Sequence, residues 1–285
     1  GVHRALVEQA RDRAMSADAG ADAGKRRVAI VTGASRGIGA DIARVLAGRG
    51  VDLALVARNR TELETLANEI AARNCPRPLV VALDLSERDA PEQIATALAT
   101  AGAIIDMLIN NAGFGLAGEV ADLDAAEQVN IVDLNIGALV ALTLRFLPDL
   151  IAARGRILNV ASTAAFLPGP GMAVYYATKA FVLSFSEALT YEMRRHGVTV
   201  SALCPGPTAT AFFARAGVDK FAQFDRFPMM SSLAVAEAGV SGLMQGRRII
   251  LPGAMNKLTG WLVPFIPHAL LLPAVARLQS KRRQD

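Results

Sequence analysis

The chain has 285 residues, of which 52% are hydrophobic and 5% aromatic, and its formal net charge at pH 7 is +4. This length suffices for one large α/β domain with a sizeable core. Cys75 and Cys204 lie far apart without metal-ligand spacing, which argues against a disulfide framework or a metal site and favours a reducing, cytoplasmic compartment. The basic residues lack the aromatic interleaving of a nucleic-acid surface, so no nucleic-acid partner is expected.

Residues 1–24 are charged, carry no apolar core of a secretory signal, and end in a stretch of Ala, Asp, Gly and Ser. They are predicted to form a flexible lead. From residue 28 onward, short apolar runs alternate with stretches of helical spacing. The predicted strands are 28–32, 52–57, 79–84, 107–110, 156–161, 198–204 and 248–251. The predicted helices are 38–46, 61–73, 90–101, 125–130, 135–153, 174–196 and 233–245.

Strands that alternate with helices of this length indicate crossover units. They predict an α/β fold with a doubly wound parallel sheet of about seven strands and helices on both faces. No linker divides the chain before residue 253, so residues 25–253 are predicted to form one domain that includes a loop at 209–230.

The remaining residues, 254–285, form an apolar segment with a basic tail, and 258–276 contain no Asp, Glu, Lys or Arg. That length is close to the ~20 residues needed to span a bilayer. The prolines that interrupt the segment are Pro264, Pro267 and Pro273. A continuous spanning helix is therefore not expected. Three interpretations stay open: contact with a membrane surface through 258–278, a lid over an apolar cavity, or a helix packed on the domain or on a dimer partner.

A glycine-rich turn follows the first predicted strand and opens the first predicted helix. Glycines allow a tight turn and close backbone approach, and the helix N-terminus offers amide donors to a pyrophosphate. The spacing of Gly33, Gly37 and Gly39 differs from the commoner Gly-x-Gly-x2-Gly, and such turns also need glycine for purely structural reasons. The predicted cofactor-binding residues in this turn are Gly33, Ser35, Arg36, Gly37, Ile38 and Gly39.

The end of the second strand carries no carboxylate, since Ala57 and Arg58 stand where an acidic residue would bind the adenosine ribose of NAD. Arg58 and Arg36 could instead hold a 2′-phosphate through forked, charge-assisted hydrogen bonds, which favours NADP(H). The alternative is that both arginines lie on a solvated surface. Asp84, with Leu85 next to it, is a candidate for contact with the adenine.

Tyr175 precedes Lys179 by four residues in a predicted helix, so a phenol and an ammonium share one helix face. A tyrosine with a pKa near ~10 is a poor acid or base at neutral pH, and a neighbouring cation is expected to lower that pKa. This pair suggests hydride transfer to a carbonyl with a tyrosine as the acid. Tyr176, three residues from Lys179, is the alternative acid.

In several motifs the chain resembles the short-chain dehydrogenase/reductase family. The matching pieces are Thr32-Gly33-x3-Gly37-x-Gly39, Asn110-Asn111-Ala112-Gly113, Asn135, Ser162, Tyr175-x3-Lys179 and Pro205-Gly206. The resemblance covers residues 28 to about 253 and implies a Rossmann fold and an NADP(H)-dependent oxidoreductase. More loosely, the chain is similar to the steroid and long-chain ketoacyl reductase branch of that family.

The resemblance also implies roles for single residues. Tyr175 is the acid, Lys179 supports it and holds the nicotinamide ribose, and Ser162 donates a second hydrogen bond to the carbonyl. The spacing of thirteen residues between Ser162 and Tyr175 favours these two over their neighbours Thr163 and Tyr176. Asn135 is implied to order a water in a proton relay, and its alternative is a helix cap.

Two further stretches are implied to contact the cofactor. Asn111, Ala112 and Gly113 would lie beside the adenosine ribose, although their alternative is a turn with an Asn cap. Pro205 and Gly206 would contact the carboxamide side of the nicotinamide, with Thr208 as a further candidate.

The 209–230 loop holds much of the aromatic content, which suggests a hydrophobic carbonyl or alcohol as substrate. The alternative is that these residues bury the loop against the sheet. The predicted function is an NADP(H)-dependent oxidoreductase. The alternatives are a catalytically silent NADP-binding sensor or scaffold on the same fold, and an epimerase or dehydratase of nucleotide sugars. A homo-oligomer is expected through the apolar faces of helices 135–153 and 174–196, as in dimers of the family.

Overall fold

A computed structural model of the chain describes residues 25–209, 229–263 and 266–280. The predicted flexible lead, residues 210–228 of the predicted substrate loop and the basic tail at 281–285 lie outside the described residues.

Seven strands form one parallel sheet. They are β1 (Arg26–Thr32), β2 (Asp52–Ala57), β3 (Leu79–Ala82), β4 (Ala103–Asn110), β5 (Arg156–Val160), β6 (Thr199–Leu203) and β9 (Ile249–Ile250). Their order across the sheet is β3-β2-β1-β4-β5-β6-β9, which confirms the predicted doubly wound, Rossmann-like α/β fold. β1 pairs with β2 on one side and with β4 on the other, so the direction of winding reverses between β1 and β4. In such sheets ligands bind beyond the carboxyl ends of the strands at this point.

A second, small sheet pairs β7 (Thr208–Ala209) with β8 (Met230–Ser231). These two strands are not among those predicted from the sequence. Each is only two residues long, too short to show a period in the sequence. Their pairing brings together the two ends of the predicted substrate loop.

Helices cover both faces of the large sheet. They are α1 (Gly37–Ala47), α2 (Arg60–Ala71), α3 (Ala90–Thr100), α4 (Ala125–Val132), α5 (Leu139–Ala153), α6 (Ala173–Met193), α7 (Ser232–Met244), α8 (Ala254–Leu262) and α9 (His268–Ser280). On one face α1, α2 and α7 bury Ile42, Leu63 and Val240. On the other face α3, α5 and α6 bury Ile94, Phe146 and Leu189. The core therefore lies in two apolar layers, one on each side of the strands.

The predicted helices 125–130 and 135–153 form one continuous helical stretch in the structure. A π-helical turn, Asp133–Ala138, joins α4 to α5. A π turn holds more residues than an α turn, so the apolar spacing of 3.6 residues breaks there and the sequence reads as two helices. This turn carries Asn135, one of the predicted site residues.

Among the described residues, one helical stretch, Ala125–Ala153, is long and apolar enough to cross a membrane. It buries Leu142, Phe146 and Leu150 against the sheet, as expected of a core helix. The C-terminal segment forms α8 and α9, which have 9 and 13 residues. Each is shorter than the ~20 residues that a membrane-spanning helix needs.

Candidate active site

A cleft of about 610 Å³ opens at the carboxyl ends of the central strands. Nearly all the site residues predicted from the sequence line it. They are Gly33, Ser35, Arg36, Gly37, Ile38, Arg58, Asp84, Leu85, Asn111, Ala112, Gly113, Ser162, Tyr175, Lys179, Pro205, Gly206 and Thr208. Gly39 and Asn135 are not among the lining residues.

The cleft also has lining residues that were not predicted from the sequence as site residues. Glu62, Phe114, Leu134 and Met172 are examples. Glu62 could have been placed from the sequence by the preceding Asn59, a favoured helix N-cap residue. Asn59 accepts a hydrogen bond from the Glu62 N–H, which puts Glu62 in the first turn of α2. The other three follow no helical or strand period that would direct them toward a ligand.

The glycine turn between β1 and α1 has the backbone shape that a close-lying ligand requires. Gly33 and Gly37 have φ values of +62° and +59°, in the region that favours glycine. A Cβ atom on Gly33 would lie 2.9 Å from the Ala112 Cα, so this position has no room for a side chain. Gly39 faces the Gly33 carbonyl and the Asn111 amide instead, and its role is the close packing of α1 on the turn.

Asn111 ties the ends of β1 and β4 together beside this turn. Its backbone N–H donates to Thr32 Oγ1 at 2.9 Å, and its side-chain amide donates to the Thr32 carbonyl at 2.8 Å. The Ala112 N–H donates to the same Thr32 hydroxyl at 3.1 Å. The side chain of Asn111 therefore holds the two strand ends in place, while the backbone of the stretch lines the cleft.

Both arginines predicted at the adenosine end line the cleft, and both are paired with carboxylates. Arg36 forms an ion pair with Glu62, in which Arg36 Nε donates to Glu62 Oε2 at 3.2 Å. Arg58 lies 3.5 Å from Asp84. Asp84 also accepts a hydrogen bond from the Ser86 N–H at 2.9 Å, so it shapes the turn after β3. Each of the two arginines at this end of the cleft therefore has a carboxylate beside it.

At the other end of the cleft, Tyr175 and Lys179 lie one turn apart on α6, as their spacing predicts. The Lys179 ammonium donates to the Val160 carbonyl at 2.8 Å and lies 5.8 Å from the centre of the Tyr175 ring. Ser162 forms a hydrogen bond with the Tyr175 hydroxyl. The Ser162 hydroxyl also accepts from the Ala164 N–H at 3.1 Å, which holds it at the start of a 3-10 turn, Thr163–Phe166.

Burial sets the protonation of this pair. It raises the pKa of Tyr175 to about 12, and the hydrogen bond with Ser162 opposes this only in part. Burial also lowers the pKa of Lys179 to about 8. The pKa of Tyr175 therefore shifts in the direction opposite to the one expected from a neighbouring cation, because burial is the largest influence and Tyr176 adds to the rise. The phenol is therefore a proton donor at neutral pH.

Asn135 is 2% exposed and bridges three parts of the site. Its Oδ1 accepts from the Phe114 N–H at 3.0 Å, and its Nδ2 donates to the Phe114 carbonyl at 2.9 Å and to Thr178 Oγ1 at 3.0 Å. It sits inside the π turn rather than at a helix start, so the helix-cap alternative does not describe it. The side chain fastens the loop after β4 to α6, one residue before Lys179.

The residues present fit a dinucleotide cofactor. A Cβ atom on Gly113 would lie 2.8 Å from Asn135 Oδ1 and 3.6 Å from the Lys179 ammonium, so at this point the floor of the cleft is bare backbone. Cations stand at one end and a phenol–ammonium pair at the other. A glycine turn at a helix N-terminus between them suits a pyrophosphate.

Comparison with known proteins agrees with this geometry. A family model described as short chain dehydrogenase matches residues 27–220. The very-long-chain 3-oxoacyl-CoA reductase of Anas platyrhynchos is 30% identical over 262 residues, which cover 90% of this chain and 80% of that protein.

Two solved structures are also similar. A short-chain dehydrogenase from Sphingobium yanoikuyae in complex with NADPH has a TM-score of 0.73 and 30% identity, covering 85% of this chain and 97% of that one. A 3-ketoacyl-(acyl-carrier-protein) reductase from Brucella melitensis complexed with NADH has a TM-score of 0.70 and 28% identity, covering 80% and 98%. The chain is therefore a member of the short-chain dehydrogenase/reductase family and an oxidoreductase of that type.

Proposed function

We propose that this protein is an NADP(H)-dependent oxidoreductase that interconverts a carbonyl and an alcohol on a hydrophobic substrate, with Tyr175 as acid and base. One observation carries the proposal. Ser162, Tyr175 and Lys179 line the same cleft as the glycine turn, and the Tyr175 phenol is hydrogen-bonded to Ser162.

The chemistry follows from what each side chain can donate. A nicotinamide dinucleotide, when bound, supplies or accepts the hydride at the substrate carbon. Charge then develops on the carbonyl oxygen, where donors stabilise it most. The Ser162 hydroxyl and the Tyr175 phenol are the donors for that oxygen, and the phenol proton completes the alcohol. Lys179, held by the Val160 carbonyl, keeps a cation beside the phenol as the phenolate forms.

The residues that would hold the cofactor lie along the cleft. The glycine turn would take the pyrophosphate, Asp84 and Leu85 would flank the adenine, and the 205–208 stretch would meet the nicotinamide. The preference for NADP(H) rests on Arg36 and Arg58, because guanidinium groups bind a phosphate in a forked manner. Similar structures carry either NADPH or NADH, so the arginines are the ground for this choice.

The hydrophobic substrate is supported by the wall near Tyr175. Phe114, Leu134, Met172 and Tyr176 line the cleft, and the ring of Tyr176 meets the Tyr175 ring edge-on with centroids 6.0 Å apart. Similarity to a very-long-chain 3-oxoacyl-CoA reductase makes a long-chain 3-oxoacyl thioester the first substrate to test.

The proposal includes a homo-oligomer. Large apolar side chains are exposed on α4, α5 and α6, although Phe181 also stacks on Phe185 and Arg194 lies over the Tyr191 ring. The exposed residues are Val129, Val132, Leu144, Phe181 and Tyr191. A second copy that packs on these helices would bury them. The proposal also places the protein in the cytoplasm.

Replacement of Tyr175 by Phe, with Tyr176→Phe as the matched control, tests the function. NADPH oxidation is followed with long-chain 3-oxoacyl thioesters, steroid ketones and small aldehydes. Tyr175→Phe removes the acid, so we expect turnover to fall by about 10²–10⁴-fold while NADPH binding is kept. Tyr176→Phe should stay near wild type.

Two results would contradict the proposal. Near-full activity of Tyr175→Phe would show that Tyr175 is not the acid. A wild-type protein that binds NADPH tightly but turns over none of these carbonyls would favour the silent sensor.

A further inference from the structure

The C-terminal helices α8 and α9 leave a large apolar surface uncovered by the described chain. Its exposed side chains are Met255, Leu258, Leu262, Ile266, Leu270 and Leu272. Leu258 is 50% exposed and Leu270 is 69% exposed. The α8 members are spaced three and four residues apart, so they share one helix face. We call these six residues the apolar face.

α9 also has a side that packs inward, next to Val263, the residue that follows α8. Val263, Leu271 and Val275 are buried together, with Leu167 packed against them. α9 is therefore amphipathic in place, while α8 meets the domain through Asn256 and Gly260, which lie against Gly206 and Leu251. Six exposed large apolar side chains within 18 residues of the chain are more than single scattered residues, and such a concentration is typical of an interaction site.

The charge of this segment selects the kind of partner. Lys257 and Arg277 are exposed on α8 and α9, and Lys281, Arg282 and Arg283 follow in the sequence. No Asp or Glu occurs between residue 254 and Asp285. Exposed leucines in a segment whose charged residues from 254 to 284 are all cationic complement a surface that is apolar inside and anionic outside, which describes a bilayer with acidic lipids.

The apolar face is joined to the substrate end of the cleft. The amide of Asn256, on α8, lies directly against Gly206, which lines the cleft where the nicotinamide is expected. A Cβ atom on Gly260 would lie 3.6 Å from Phe166, the last residue of the 3-10 turn that Ser162 begins. The helices that carry the apolar face thus pack on the two segments that frame Ser162 and Gly206.

From these observations we infer that α8 and α9 dock the protein on membranes that contain anionic lipid, with the substrate end of the cleft held beside the bilayer surface. Both helices are too short to span, so the apolar face would lie within the headgroup region. The role of this surface in catalysis, delivery of a hydrophobic carbonyl from the lipid, rests on the proposed function. The docking itself does not.

Flotation of the full chain with vesicles tests the inference. Vesicles of phosphatidylcholine alone are compared with vesicles that also contain phosphatidylglycerol, at low and high salt. We expect binding to the anionic vesicles, weakened by salt. The double variant Leu258→Gln with Leu270→Gln should bind at least about tenfold more weakly, because each leucine loses apolar burial. Leu233→Gln, an exposed leucine on α7, is the matched control and should bind like wild type.

Activity on a water-soluble carbonyl and on a vesicle-embedded ketone separates the two proposals. The double variant should keep its activity on the soluble substrate, which shows that it folds, and lose activity on the embedded one. Wild-type protein that fails to float with anionic vesicles overturns the inference even if it reduces carbonyls. So does a double variant that loses a dimer in sedimentation while vesicle binding is unchanged, since a second copy would then cover the face. Binding without any turnover would contradict only the proposed function.

Discussion

Arg36 in the glycine turn and Glu62 in the first turn of α2 form an ion pair that lines the cleft. Arg36 is 62% exposed, so water screens the pair and its net stabilisation is small. Any phosphate that binds Arg36 must compete with the Glu62 carboxylate or lie close to it. Glu62 therefore limits the attraction that Arg36 can offer to a 2′-phosphate.

We expect Glu62→Gln to increase the preference for NADPH over NADH by about fivefold, the upper end of what one exposed ion pair is worth. The variant frees Arg36 and removes a negative charge beside the phosphate. Dissociation constants for both cofactors, measured by fluorescence titration at low salt, check this. The gain should shrink as salt is added.

Glu64→Gln is the control for this experiment. Glu64 lies on the same helix and pairs with Arg77, but it does not line the cleft. It should leave the ratio of the two affinities unchanged. Weaker NADPH binding by Glu62→Gln would instead mean that Glu62 orients Arg36 for the phosphate.

Replacement of Gly33 by Ala should abolish cofactor binding. The φ of +62° makes a side chain costly by about 1–2 kcal/mol, and the new Cβ would press on the Ala112 backbone beside the ligand. Gly50→Ala is the matched control, because Gly50 also has a positive φ, +79°, but has open space around it. Both variants should lose the thermal stability that a positive φ costs, Gly33→Ala more because of its contact with Ala112, and only Gly33→Ala should lose NADPH affinity. Equal NADPH affinity in the two variants would contradict the assignment of this turn.

Asn135→Ala should lower the free energy of unfolding by about 1–3 kcal/mol, because the buried Phe114 N–H loses its acceptor. Urea denaturation gives this value, and kcat measured alongside should fall as well. Thr178→Val removes one of the same hydrogen bonds, so the double variant should cost less than the sum of the single ones. Unchanged stability with lost turnover would show that Asn135 acts in the proton relay instead of holding the site together.

The two pKa shifts predict opposite pH profiles for the two directions. Burial lowers the pKa of Lys179 to about 8, so the ammonium is present below that pH and is lost above it. Burial raises the pKa of Tyr175 to about 12, so the phenol stays protonated throughout the usual range. Carbonyl reduction needs a protonated Tyr175 phenol and a charged Lys179 ammonium, so its rate should fall above about pH 8. Alcohol oxidation needs the phenolate and should rise with pH.

Initial rates at saturating cofactor, taken in both directions, measure these profiles. Tyr176→Phe should reproduce the wild-type curves, since Tyr176 is not the acid. Reduction that stays level to pH 10 would show that the charge of Lys179 does not support the proton transfer.

Much of the fold and the site could be predicted because the deciding patterns are local. Alternating apolar runs and helical spacing predicted the parallel sheet. The offset between Tyr175 and Lys179 is one helical turn wherever the helix lies. The glycine turn needs only a strand before it and a helix after it. Such features depend on neighbours along the chain, and those are visible in the sequence.

Only the tertiary structure decided the rest. Glu62 pairs with Arg36 because α2 and the glycine turn are neighbours in space. Asn135 forms hydrogen bonds with Phe114 and Thr178 from its buried position in the π turn. The direction in which the pKa of Tyr175 shifts depends on how far the fold excludes water from the phenol. The spacing of residues along the chain does not contain this information. Ion pairs between distant segments and the desolvation of charges arise only when the whole chain has packed, so they belong to the three-dimensional arrangement.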